Sequence, residues 1–219
     1  MKKEIHLFFV LAIISLGVCA QPGALDLSFG VKGITYTNIQ NDSSGSESAN
    51  AVVLQPDGKI VVAGYAGAFA CIYRYNSDGS LDNSFDQDGK LFFPKWDIAG
   101  MALQPDGKLV AVGSVSNGTN LDFAITRFNT DGATDNEFGI GGEVLTDFNN
   151  LKDQAGAVAI QTDGKIVVVG IVEVSPNGSN LDFALARYNT DGSLDNDFDE
   201  DGKQTIPVSP SLLPLVSIV

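Results

Sequence analysis

The residues with the most direct metal chemistry stand near the end of the chain, in DFDEDG, where Asp197, Asp199 and Asp201 precede Gly202. Carboxylates at alternate positions before a turn glycine aim oxygens at one hard cation such as Ca2+. The EF-hand form of that loop also needs a bidentate glutamate at its twelfth position, and Val208 stands there. The aligned triplets elsewhere are Ser84, Asp86 and Asp88, then Glu137, Gly139 and Gly141, then Ser28, Gly30 and Lys32. Two of these copies lack the ligand set altogether. The segment therefore reads first as a turn and second as a weak Ca2+ site.

Arg74, Arg127 and Arg187 also recur at equivalent places. They could ring a channel and bind anions, but a partly buried arginine needs a carboxylate partner. The sequence offers two sets of partners, Asp57, Asp106 and Asp163, or Asp82, Asp135 and Asp195. Phe29, Phe85, Phe138 and Phe198 read as corner packing, and Trp96 as a half-buried residue or a sugar platform.

The start, MKKEIHLFFVLAIISLGVCAQPG, has two lysines, an apolar run from Leu7 to Val18, and small residues before Gln21. This pattern predicts a secretory signal peptide, residues 1–20, cleaved after Ala20. The apolar run is short for a membrane span, which takes roughly 20 residues. Lipidation at Cys19 is the lesser alternative. Cleavage removes the single histidine, His6, and leaves Cys71 as the one thiol, so no intrachain disulfide forms. The net charge of -14 becomes -15 once the +1 of Lys2, Lys3 and Glu4 is gone. Such acidity repels nucleic acid and anionic membranes, and neither is expected as a partner. Without histidine the mature chain has no Ser-His-Asp or Cys-His nucleophile and no His-ligated zinc. A two-carboxylate polysaccharide hydrolase or lyase remains as the alternative. Nearly every aspartate, however, sits in a turn that recurs, whereas a catalytic pair belongs at one location, so no enzyme is expected and no cofactor beyond the Ca2+ considered above.

The elements that carry these residues are themselves repeated. Three phrases return in fixed order: a Phe-Gly turn (25–33, 81–89, 133–142, 194–202); LQPDGKIVVAG, LQPDGKLVAVG and IQTDGKIVVVG (54–64, 103–113, 160–170); and CIYRYNSDGS, AITRFNTDGA and ALARYNTDGS (71–80, 124–133, 184–193). Each unit reads as four short strands: one after the turn glycine (GITYTNI, KLFFPKW, EVLTDF), one before the Asp-Gly-Lys reversal, one after it, and one ending at Asn-x-Asp-Gly. The third strand of each unit is apolar without alternation, so both its faces are expected to be buried. Repeated antiparallel quartets with no helical period predict an all-β, propeller-like fold. The expected blades are about 25–80, 81–132 and 133–193, with the first strand of a fourth at 194–208 and an irregular apolar tail at 209–219.

LQPDGKIVVAG and DFALARYNTDGSLDNDF closely resemble the delta-60 repeat, a module of bacterial secreted proteins predicted to form β-propellers and carrying no established activity. The resemblance runs from about Leu25 to Gln204 and implies fold and export, to the periplasm, cell surface or medium, but no catalytic residues. Propellers close with roughly 4–8 blades. Three blades and a strand leave open edges that invite self-association. The chain is accordingly read as the front of a longer propeller, with two chains forming one ring as the alternative.

Within the units, two intervals are constant. The turn Gln to the strand-ending Gly is nine residues (Gln55 to Gly64, Gln104 to Gly113, Gln161 to Gly170), and Arg to Phe is 11 (Arg74 to Phe85, Arg127 to Phe138, Arg187 to Phe198). The other two drift, over 22, 15 and 19 residues and over 10, 14 and 17. In a meander both variable connections leave the same end. Residues 40–48, 96–99, 114–121, 149–155 and 172–181 are therefore the expected recognition surface, rich in Asn, Ser and Gly and suited to a protein or a polar ligand such as a glycan.

Overall fold

The computed structural model describes residues 23–37, 47–67, 69–94, 96–176 and 180–208. The expected signal peptide and the apolar tail lie outside the described residues. Twelve strands are present among them, in three antiparallel meanders of four. The first sheet is β1 (Glu47–Leu54), β2 (Ile60–Ala66), β3 (Phe69–Tyr75) and β4 (Lys90–Pro94). The second is β5 (Trp96–Leu103), β6 (Leu109–Ser116), β7 (Leu121–Phe128) and β8 (Glu143–Thr146); the third is β9 (Asp153–Ile160), β10 (Ile166–Glu173), β11 (Leu181–Tyr188) and β12 (Lys203–Ile206).

These sheets are out of phase with the sequence units by one strand. The segment that opens each unit pairs backward, onto the last strand of the unit before it: β3 with β4, β7 with β8, β11 with β12. The segment at 203–206 is thus the outer strand of the third sheet and does not begin a fourth. In GITYTNI, Ile34 makes isolated bridges to Gly30 and Val31, and the described part of the segment joins none of the three sheets. Alternation of apolar residues marks a strand but does not say which neighbour it joins, so the phase is set by tertiary pairing.

The first strands of the sheets, β1, β5 and β9, touch in series, and the sheets stack as blades of an open fan. Two apolar layers fill the spaces between them. Val61, Ala63, Ile72 and Phe85 meet Ile98, Met101, Leu109 and Ala111 in one. Val110, Val112, Phe123, Ile125 and Phe138 meet Ala155, Val168 and Tyr188 in the other. In the middle sheet β6 is buried from Leu109 to Ser114, on both faces as the unbroken apolar run predicts. The flanking β2 and β10 alternate instead, because each has a neighbour on one side only.

One glycine position locks the inner pair of strands. A Cβ on Gly113 would lie 1.5 Å from the Asp97 carbonyl oxygen, and Gly64 and Gly170 meet the same obstacle. The inner strand bulges beside each of these glycines, so its backbone folds into the space a side chain would occupy.

Candidate functional site

At one end of the fan the same corner is built three times. Arg74 Nε donates to Asp82 Oδ2 at 2.7 Å, and Arg127 and Arg187 repeat the bond to Asp135 and Asp195 at 2.6 Å. Lys59, Lys108 and Lys165 reach the same carboxylates at 3.2, 2.8 and 2.8 Å. Each guanidinium lies over a corner phenylalanine, 4.6 Å from Phe85, 4.5 Å from Phe138 and 4.8 Å from Phe198. The structure thus selects the second set of partners. Asp57, Asp106 and Asp163 instead cap their own turns, accepting the amides of Lys59, Lys108 and Lys165.

The corner also joins blades. Arg74 donates to the Thr130 carbonyl and Arg127 to that of Thr190, each in the following unit. The amides of Asp86 and Gly139 donate to the carbonyls of Asp131 and Asp191 at 2.8 Å. Gly132 sits against the Phe85 ring, where a Cβ would approach to 3.1 Å. The Asn-x-Asp-Gly turn is therefore the plug for the preceding corner. Burial raises the Asp82 carboxyl, but Ser84, Lys59 and Arg74 outweigh it and hold it well below the ordinary range. Burial likewise opposes Lys108, Arg127 and the Glu137 amide at Asp135, and the net direction is again downward.

Asp197, Asp199 and Asp201 belong to this end and are not gathered round a point. Asp199 and Glu200 adopt φ of +49° and +69°, and the Gly202 amide closes the turn on the Phe198 carbonyl at 2.7 Å. Asp201 caps the Lys203 amide, and the corner of the first sheet repeats this with Asp88 and Lys90. Among the described residues, one group of three acidic, His or Cys side chains brings its ligand atoms within 4.8 Å of one another, and it is Asp122, Asp147 and Asp153.

That trio lies at the opposite, variable end. Of the expected recognition surface, 40–46 and 177–179 are outside the described residues, while 96–99 are already strand β5, with Trp96 its first residue. The β6–β7 and β8–β9 loops are braced together. Asn120 Nδ2 donates to the Leu151 carbonyl at 2.8 Å, and Asn149 Nδ2 to that of Glu173 at 2.6 Å. Between them lies a depression of about 490 Å3 lined by Ser116, Thr119, Asn120, Leu121, Asn150, Leu151, Lys152 and Glu173.

Below it, Asn117 Nδ2 donates to both oxygens of Asp122, at 2.9 and 3.1 Å. Asp147 Oδ1 accepts the Asn149 and Asn150 amides. Asp153 is fully buried; its Oδ2 accepts the Phe148 amide at 2.8 Å, while Oδ1 has no hydrogen-bond partner among the described residues. Burial, with Asp147 and Asp122 adding to it against the Phe148 amide, pushes the Asp153 carboxyl up to about 6. The three members are far apart in sequence, and no motif links them. Asp122 recurs as Asp182 in the next unit, within NGTNLDF and NGSNLDF, whereas Asp147 and Asp153 depart from the repeat, with Pro94 and Trp96 as their counterparts one unit earlier.

A family model described as "Domain of unknown function (DUF5122) beta-propeller" matches residues 55–85, 104–138 and 161–198. Each matched segment runs from the turn glutamine to the corner phenylalanine, the stretch that forms the second and third strands and the clamp. Among solved structures, a protein of unknown function from Bacteroides caccae aligns at 11% identity with a TM-score of 0.40, covering 76% of this chain and 62% of that one. The chain thus spans less than two thirds of that structure's length. No curated protein matches the chain.

Proposed function

From the premise that the chain belongs to the DUF5122 β-propeller family, of the delta-60 repeat type, we propose that it serves as an exported, non-catalytic binding or scaffold module. Its ligand is polar, a glycan or a protein surface, held at the variable-loop end. The observation that carries this reading is the braced depression of about 490 Å3 between the β6–β7 and β8–β9 loops. Its lining mixes asparagine amides and hydroxyls with Lys152 and Glu173, the adaptable hydrogen-bonding set that polar recognition uses. Burial and the Glu47 charge push the Cys71 thiol to about 11, against a smaller pull from Tyr73, which disfavours its thiolate as a nucleophile. Glycan-array and pull-down binding by the mature chain should vanish when residues 117–120 and 149–152 are exchanged for Gly-Ser turns. Binding that survives the exchange places recognition elsewhere.

A second reading, self-association, rests on the open faces. Val52 and Leu54 of β1 are 64% and 71% exposed, while Met101, the counterpart of Val52 in the second sheet, is buried. On the far side Phe183 is 56% exposed, and its counterpart Phe123 is fully buried. The two surfaces are the halves of a contact that the fan already makes twice, so a second copy fits them head to tail. Sedimentation should show mass rising with concentration, and Phe183→Glu should abolish the rise; a monomer at every concentration removes this reading.

A further inference from the structure

We propose that Asp122, Asp147 and Asp153 form a site for one divalent cation of the size of Ca2+, beneath the variable loops. The proposal is independent of the binding reading above and concerns different residues from the DFDEDG turn.

Distance comes first. One oxygen from each carboxyl lies within 4.8 Å of the other two. Ligands of Ca2+ sit about 2.3–2.6 Å from the ion, so two of them on opposite sides are separated by at most about 4.6–5.2 Å. Mg2+ demands near-ideal octahedral geometry and keeps several of its waters, whereas Ca2+ accepts an irregular set of protein oxygens, which favours Ca2+ for a cluster of three carboxyls drawn from two sheets. The chain therefore already holds three charged oxygens at a spread that one Ca2+ accommodates.

Charge comes second. Asp153 is wholly buried and its Oδ1 has no partner among the described residues, while its carboxyl faces two further carboxyls. With one amide on Oδ2 and no counter-charge paired to it among the described residues, a buried carboxylate is strongly disfavoured unless a cation compensates it or a proton neutralises it. None of the three makes an ion pair among the described residues. The nearby Lys203 directs its Nζ to the Asp147 backbone carbonyl at 3.2 Å and lies 5.8 Å from the Phe148 ring centre.

Location comes third. The trio joins the β7 and β8 side of the second sheet to the first residue of the third, yet the first-to-second junction holds with Phe69, Pro94 and Trp96 in the same places. Stacking of blades does not require these carboxylates. Asp147 is only half-buried and gives an ion an entry path and room for water to complete its shell.

The test uses the mature chain, stripped with a chelator and titrated calorimetrically with CaCl2 and MgCl2, with thermal melts run in parallel. The proposal expects one Ca2+ per chain, a melting temperature raised by Ca2+ more than by Mg2+, and reversal by chelator. Asp147→Asn should weaken uptake about tenfold or more, since it removes a charged ligand. Asp153→Asn keeps the side-chain shape and removes the unpartnered charge, so it should stay folded and lose the Ca2+ response. Asp199→Asn should change nothing. No heat and no shift of the melt in millimolar Ca2+ with the wild-type chain overturns the site, as does uptake that survives Asp153→Asn in a folded variant or disappears with Asp199→Asn.

Discussion

The two ends of the fan are made by different rules. The corner end is written three times in the same residues, with Arg, Asp, Lys and Phe in one geometry to within a few tenths of an ångström. The loop end is less uniform: its connections differ in length, and although NGTNLDF at 117–123 returns as NGSNLDF at 177–183, Asp147 and Asp153 of the acidic trio have Pro94 and Trp96 as their counterparts one unit earlier. Repetition belongs where every blade has the same mechanical task, which is to seat the turn of the next blade on its phenylalanine. Singularity is left for the end where the fold imposes nothing, and that end is free to carry recognition.

If the corners hold the fan together, the largest effect belongs to a corner enclosed on both sides. Phe138→Ala should cost about 3–5 kcal/mol in urea denaturation, as a large buried aromatic does. Phe198→Ala should cost clearly less, since among the described residues no turn of a following unit caps its ring and it is only partly buried. Equal losses would mean that the cap contributes nothing. Asp135→Asn comes next, on the order of 2–3 kcal/mol, because Arg127 and Lys108 lose their shared carboxylate, the latter partly open to solvent.

Acid should act on the same corner more gently. The folded-state carboxyls of Asp82 and Asp135 lie below their ordinary value near 3.8, so their contribution is complete above that value and is lost as pH falls through the folded range. Thermal melts should therefore fall below about pH 4, and Asp135→Asn should flatten that fall, while between about pH 7 and 4 protonation of Asp153, whose folded carboxyl is raised to about 6, should lift the midpoint. The smallest effect is expected at the other end. Gly-Ser replacement of residues 117–120 should change stability by about 0.5 kcal/mol or less, in line with exposed loops. A loss as large as the corner's would erase the distinction between the ends.

The sequence displays its repeated features and conceals its unrepeated ones. Asp-Gly turns, the apolar run at 109–113 and the constant Arg-to-Phe interval were all legible, because each states a local requirement. The clamp was legible to within two alternatives; the choice of Asp82 over Asp57 depends on which turn faces the guanidinium, a matter of three-dimensional pairing. The phase of the sheets was not legible, since Lys90–Pro94 has the same strand character whether it joins β3 or β5. Nor was the acidic trio, whose members meet only after two sheets stack. The repeat drew the reading toward DFDEDG, where Asp201 caps the Lys203 amide, while two of the three clustered carboxylates, Asp147 and Asp153, stand where the repeat is broken.

The central claim is that each blade is bolted to the next through its corner, and amide hydrogen exchange at Asp86 and Gly139 tests it most directly. Both residues are exposed turn positions, yet their amides donate to carbonyls of the following blade. The account predicts that they exchange as slowly as the strand amides of β6, through global unfolding alone. Exchange at the rate of an open surface turn, with β6 still protected, would contradict it.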